Sequence, residues 1–212
     1  MATDNSKYPV KFDVKYPGNV DQVSSFFRIL WSLPIVVLLS ILTSPSITFT
    51  RGHESAVASS GGGIAGGLFV ATALMIVFRQ RYPRWWFDFM LELNRFGARV
   101  GAYVFLLTDR YPSTVDKQDV VLDLEYPNVE RDLNRWLPLV KWLLAIPHFI
   151  VLGLLFVAVL GVTVVAWFAI LFTGHYPRGL FDFVVGVGRW STRVGAYAVY
   201  LTTDEYPPFS LS

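Results

Sequence analysis

Apolar residues fall in long blocks and in two distinct periods along this chain. The longest block is residues 142–173, WLLAIPHFIVLGLLFVAVLGVTVVAWFAILFT, 32 positions with no Asp, Glu, Lys or Arg. Its one titratable side chain, His148, is mostly uncharged at neutral pH. A membrane helix needs about 20 apolar residues, and a single helix of this length would run roughly 48 Å, past a hydrocarbon core of about 30 Å. The block therefore reads as two helices in a tight hairpin or as one very tilted helix. Two more apolar segments lie near 26–42 and 62–78. Between them residues 43–63, TSPSITFTRGHESAVASSGGG, are polar and rich in Ser and Gly, which reads as a solvent loop.

Outside these blocks the periodicity changes. Asp88, Glu92, Arg95 and Arg99 stand at i, i+4, i+7 and i+11, one stripe of a helix at 100° per residue. Trp85, Phe89, Phe96, Val100 and Tyr103 lie beside or opposite it. Asp182, Arg189 and Arg193 form the matching stripe later in the chain. These segments, near 84–104 and 178–198, are amphipathic helices with aromatics, suited to the membrane interface or to packing against each other. VKFDVKYP at 10–17 and VVLDLEYP at 120–127 alternate apolar and polar residues, the period of a half-buried strand. YVFLLTD at 103–109 and YAVYLTTD at 197–204 read either as strands or as the ends of the amphipathic helices. Seven tyrosines precede a proline: Tyr8, Tyr16, Tyr82, Tyr111, Tyr126, Tyr176 and Tyr206. Proline biases the residue before it away from α-helix, so each Tyr-Pro marks an element boundary, with the ring expected at the membrane interface.

The segments recur. YPRWWFDFMLELNRFGARVGAY at 82–103 matches YPRGLFDFVVGVGRWSTRVGAY at 176–197 at a constant offset, and each ends in a Thr-Asp and a Tyr-Pro. A cation stands six residues before a proline in both halves, Arg28 before Pro34 and Lys141 before Pro147. The expected fold is thus mainly α and integral to a membrane: two tandem repeats, each a transmembrane helical hairpin followed by an amphipathic interfacial helix, with short β-strands on the cytoplasmic side. Repeat 1 is placed at 1–112, with spans near 26–42 and 62–78. Repeat 2 is placed at 113–212, with spans near 136–154 and 157–174 that turn close to Gly153 or Gly161. Lys and Arg near the spans place both termini in the cytoplasm of a bacterial inner-membrane, multi-pass protein.

The repeated Tyr-Pro-Arg, Phe-Asp-Phe and Arg-Val-Gly-Ala-Tyr, with Tyr-Pro-Pro-Phe at 206–209, resemble a family of small bacterial membrane proteins catalogued only as a domain of unknown function. Ala145-Ile146-Pro147-His148 and Gly174-His175-Tyr176-Pro177 in the second copy carry the resemblance most closely. Copy one departs from it, with Ser32-Leu33-Pro34-Ile35 in place of the histidine segment. The resemblance implies a membrane location and no reaction.

Composition agrees with the blocks. The 212 residues are 53% hydrophobic and 16% charged, against about 25% charged in soluble proteins, with a mean hydropathy of +0.45. A formal charge of +2 without a basic run gives no footprint for nucleic acid. There is no cysteine, which removes disulfides, thiol chemistry and Cys-ligated metals. No catalytic, cofactor-binding or metal-binding set emerges. His53, His148 and His175 are dispersed, and GGGIAGG at 61–67 lacks the Lys-Ser/Thr of a phosphate loop and reads as close helix packing.

Two polar features remain. His148 is a candidate intramembrane polar site, its simpler reading being a hydrogen bond to a carbonyl freed by Pro147. Asp88, Arg95, Arg99, Asp182, Arg189 and Arg193 are a candidate lipid-headgroup set, arginines on phosphate and aspartates orienting them, or a salt-bridge network holding the two repeats together. The function this supports is a non-catalytic accessory or scaffold subunit of a larger membrane complex. The alternatives are a small transporter or channel, or a lipid-binding membrane protein. Its expected partners are membrane lipids and either a larger membrane complex or further copies of itself. Replacing Arg99 and Arg193 with Ala lowers the melting temperature in detergent if these residues hold the repeats together. Unchanged melting with loss of copurifying lipid marks the headgroup reading instead.

Overall fold

The computed structural model describes residues 8–43, 63–114, 116 and 118–212. Within them the alternating segments form two short strands, β1 (Val10–Val14) and β2 (Val120–Leu124), paired antiparallel with Val10 opposite Leu124 and Val14 opposite Val120. Alternation sorts their side chains. Val10, Val14, Val120, Leu122 and Leu124 point inward and are buried, whereas Lys11, Asp13, Val121 and Asp123 face outward. A two-stranded ribbon is marginal alone, and here its inner face is covered by two long helices, α3 (Arg84–Val104) on β2 and α7 (Arg178–Ala198) on β1.

Both helices start directly after a Tyr-Pro. Pro83 and Pro177 sit at their N-caps with extended backbone, ψ 130° and 124°. Each helix is closed by a turn that leads into a leucine at positive φ, Leu106 at 64° and Leu201 at 56°, both buried. A non-glycine residue in that region costs about 1–2 kcal/mol, and burial of the leucine side chain offsets it.

An outer layer completes the fold. The helix α1 (Gln22–Thr43) packs on α3 and on α6 (Ile146–Thr173), and α6 packs along α7. The helix α2 (Gly63–Arg79) touches α1 and the short α5 (Pro138–Leu144), which follows the single turn α4 (Val129–Asp132). One core cluster runs through the layers, from Val14 and Val120 of the ribbon through Val184 and Val187 of α7 to Val159, Ala166 and Ile170 of α6.

Two tandem transmembrane hairpins are not found among the described residues. The 142–173 block is not a hairpin turning at Gly153 or Gly161: α6 is one unbroken helix of 28 residues, about 42 Å long. Glycine alone does not stop a helix that is apolar on both sides of it, and the block holds no proline or polar pair after Pro147 to break the hydrogen-bond ladder. The chain breaks earlier, at Ala145, between α5 and α6. Among the described residues α6 is the one helix long and apolar enough to cross a membrane. The α1 segment passes the same measure only if its halves Gln22–Arg28 and Leu30–Ser40, bent by 49°, are joined, and the apolar part of α2 is short. The polar loop at 44–62, with His53 and the first glycines of GGGIAGG, lies outside the described residues.

The amphipathic helices are also not interfacial. Both lie in the middle layer, α7 with Phe181, Val184, Val185, Val187, Trp190 and Val194 buried. Arg95 and Arg189 of their charged stripes meet the ribbon. Nor do the Tyr-Pro rings mark the interface throughout: Tyr8, Tyr82 and Tyr176 are buried, and the hydroxyls of two of them find carbonyl acceptors, Tyr82 on Tyr200 at 3.1 Å and Tyr8 on Glu205 at 3.1 Å.

Burial pushes the ionisation of Tyr82 and of Tyr200 up to about 12. The unfolded chain loses these protons near pH 10, so between pH 10 and 12 the folded state holds more protons than the unfolded one. The stability is complete below pH 10 and is lost as the pH rises toward 12, by roughly 2–3 kcal/mol per tyrosine. Tyr82→Phe is expected to flatten this alkaline limb in pH-dependent melting curves, at a cost of about 1 kcal/mol at neutral pH from the lost hydrogen bond.

Candidate functional site

Two buried cations sit in clusters of similar make-up. In the first, Arg28 of α1 is fully buried. Its guanidinium donates to the Thr108 carbonyl at 3.0 Å, pairs with the Asp109 carboxylate and lies 4.8 Å over the Tyr103 ring. The other Asp109 oxygen accepts the Asp21 N–H at 3.0 Å, just before α1 begins. In the second, Lys141 of α5 is fully buried. Its ammonium donates to the Thr203 carbonyl at 2.7 Å, pairs with Asp204 at 2.6 Å and lies 5.1 Å from the Tyr197 ring centre. Asp204 likewise accepts the Asn134 N–H ahead of α5.

Each clasp joins the start of an outer helix to the turn that ends a middle-layer helix. Burial pulls the Lys141 ammonium below its ordinary ionisation range, and Asp204 opposes that shift. These clasps were not foreseen as pairs. Their signals were present: the cation six residues before a proline, and the repeated Thr-Asp.

The arginines of the amphipathic stripes lie elsewhere. Arg95 donates Nε to the Leu122 carbonyl at 2.9 Å and pairs with Asp123 at 3.1 Å and with Glu92 at 2.6 Å. Arg189 donates Nε to the Phe12 carbonyl at 3.1 Å and pairs with Asp13 at 2.6 Å. Arg99 donates to the Ser113 carbonyl at 2.6 Å, and the buried Arg193 donates to the carbonyls of Ser210 and Ser212 at 2.8 Å each. Asp88 and Asp182 are exposed, and no ion pair joins either to its stripe arginines. The aspartate partners of Arg95 and Arg189 come from the strands, because these arginines face the ribbon edge, with Glu92 of α3 as a further partner of Arg95.

His148 does not bond a carbonyl freed by Pro147. It is fully buried in the first turn of α6, and its Nδ1 accepts the indole N–H of Trp190 at 3.1 Å. That bond places the ring proton on Nε2. Phe209 stacks on the imidazole at a centroid distance of 3.9 Å, with Tyr206 at 4.9 Å, so the C-terminal Tyr-Pro-Pro-Phe closes the pocket. Nε2 has no hydrogen-bond partner among the described residues. The tail is held close beneath α7, where a Cβ on Gly186 would come within 2.7 Å of the Leu211 carbonyl oxygen.

The described residues bring together no group of three His, Cys, Asp or Glu side chains that could hold a metal ion. A groove of about 690 Å³ is walled by Pro34, Ile35, Leu38, Phe89, Phe96 and Tyr111 and is mostly apolar.

Residues 136–210 match the family described as Domain of unknown function (DUF4389). No curated protein and no solved structure matches. The match covers α5, α6, α7 and the tail, and with them the Lys141 clasp and the His148 pocket.

Removing one partner of a buried pair leaves an uncompensated charge, at a cost of about 3–5 kcal/mol. Asp204→Asn is therefore expected to lower unfolding stability in mild detergent by that order. Lys141→Met combined with Asp204→Asn recovers most of it, and a double-mutant cycle read by denaturant unfolding measures the coupling.

Proposed function

We propose that the protein is a non-catalytic accessory or scaffold subunit of a larger membrane complex. We place it in contact with the lipids of a bacterial cytoplasmic membrane, with both termini on the cytoplasmic side. The observation that carries this reading is the division of labour among the side chains. Arg28, Arg95, Arg99, Arg189, Arg193, Lys141 and His148 are engaged in contacts within the chain, and α1, α5 and α6 present a broad apolar surface. Phe26, Trp31, Trp142, Leu154 and Phe172 are all exposed there. Patches of this extent mark protein or membrane contact.

We also read the chain as a tandem duplication. Supporting this are paired contacts at corresponding positions: Arg28 with Asp109 and Lys141 with Asp204, Arg95 on Leu122 and Arg189 on Phe12, and Tyr126 donating to the Tyr82 carbonyl as Tyr16 donates to that of Tyr176. Under this reading the halves are exchanged, since the helix of each half packs on the strand of the other.

Native purification from its own membranes in mild detergent, followed by mass spectrometry of what stays bound, tests the subunit reading. A stoichiometric larger membrane protein is the expected companion. Recovery of the chain alone, or only as a homo-oligomer with lipid, overturns it.

A further inference from the structure

We infer that α6 lies along one leaflet of the membrane, as an in-plane anchor, and does not cross the bilayer. The inference rests on the membrane-bound reading above and concerns how the chain meets the lipid.

Length and composition alone favour a crossing. A crossing helix of about 42 Å puts its ends on opposite sides of a core of about 30 Å. Here both ends are tied to one polar body. Near its start, His148 accepts the Trp190 indole of α7. At its end, the Gly174 carbonyl accepts the Val20 N–H at 3.0 Å, and the Tyr176 carbonyl accepts the Tyr16 hydroxyl. Tyr16 and Val20 follow directly on β1. The helix α7 turns back along α6, so that Trp190 meets its beginning while Phe181 shares a cluster with Ile170 near its end.

The charges decide the matter. Val159, the middle of α6, lines one cleft of about 290 Å³ together with Phe12, Leu122 and Gly188. The carbonyls of Phe12 and Leu122 hold Arg189 and Arg95, whose partners Asp13 and Asp123 are 67% and 62% exposed. Ionised, water-facing groups therefore stand abreast of the centre of α6. If α6 crossed, they would sit at the depth of the bilayer centre, where ionised side chains are strongly opposed.

Laid flat, the same body is matched to a leaflet. The buried stripe of α6 is His148, Val159, Ala166 and Ile170. About half a turn away, Ile150, Leu154, Val157, Val164, Phe168 and Phe172 form an exposed stripe with no charge. The polar outer face of the ribbon lies on the opposite side of the molecule, toward water. Exposed Trp142 stands on α5, just ahead of α6, as an interfacial tryptophan does.

The chain has no cysteine, so single labels are unambiguous. The variants Ile150→Cys, Val157→Cys, Val164→Cys and Phe172→Cys, each carrying a nitroxide, are reconstituted as full chains in phosphatidylethanolamine and phosphatidylglycerol vesicles. Depth is read from power saturation with oxygen and with a nickel chelate. The in-plane anchor predicts one common, shallow depth at all four sites, about 5–10 Å below the phosphates. A profile deepest at Val157 and Val164 and shallow at Ile150 and Phe172 overturns it and leaves the protein membrane-bound. Shielding from both reagents at all four sites shows a protein covering the stripe and also overturns it. Full access to the nickel chelate at all four sites overturns the membrane-bound reading itself.

Discussion

Everything in this fold hangs on a ribbon of two five-residue strands that is too small to persist by itself. It survives because each strand is gripped along its edge by an arginine from a long helix. Arg95 and Arg189 each make one bond to a strand carbonyl and one to the aspartate that follows it. A guanidinium suits this place because its donors lie in one plane and can bridge a carbonyl and a neighbouring carboxylate together. A lysine could reach either group but not hold the angle between them. The ribbon in turn decides where α3 and α7 lie, and those helices decide where the outer layer can pack.

The outer layer adds a second constraint of the same kind. Arg28 and Lys141 are buried cations, and a buried cation is tolerated only when it is paired. Each finds a carboxylate, a carbonyl and a tyrosine face at the turn where a middle-layer helix ends. Those turns run through a leucine at positive φ in both halves. The backbone is bent to present a carbonyl and an aspartate to the cation, and the cation in turn holds the bend. The first turns of α1 and α5 are thereby locked to the ends of α3 and α7. Exposed ion pairs of similar length contribute little; these two matter because removing either member strands the other away from water.

Much of this was legible in the residue pattern. The period-2 segments at 10–17 and 120–127 mark the strands, since alternation of Val, Phe and Leu with Lys and Asp leaves one face to bury. The stripes of Asp88 to Arg99 and Asp182 to Arg193 mark the long helices. Their environment was not legible. An aromatic, cationic helix suits a lipid interface and a ribbon edge equally well, and only the neighbouring strand, far away in the chain, tells them apart. The aspartates at 88 and 182 share a helix face with the arginines, yet Asp13 and Asp123 hold the arginines because the ribbon brings them closer. His148 stood out in the sequence as a polar residue in an apolar block, but its partner Trp190 stands on another helix, beyond the reach of any local rule.

The apolar block at 142–173 shows the limit most clearly. Counting residues against bilayer thickness assumes that a helix is surrounded by lipid along its whole length. One side of α6 instead rests on α7 and, through it, on a ribbon whose outer face is charged and wet. A helix takes its orientation from the whole rigid body to which it belongs, and this body has its charged and uncharged faces on opposite sides, parallel to the helix axis. Such a body minimises its free energy with the axis in the plane of the membrane. The same 28 residues freed from α7 would be expected to cross. The tie of the Trp190 indole at one end and of Tyr16 and Val20 at the other therefore decides between two states that composition alone leaves equal.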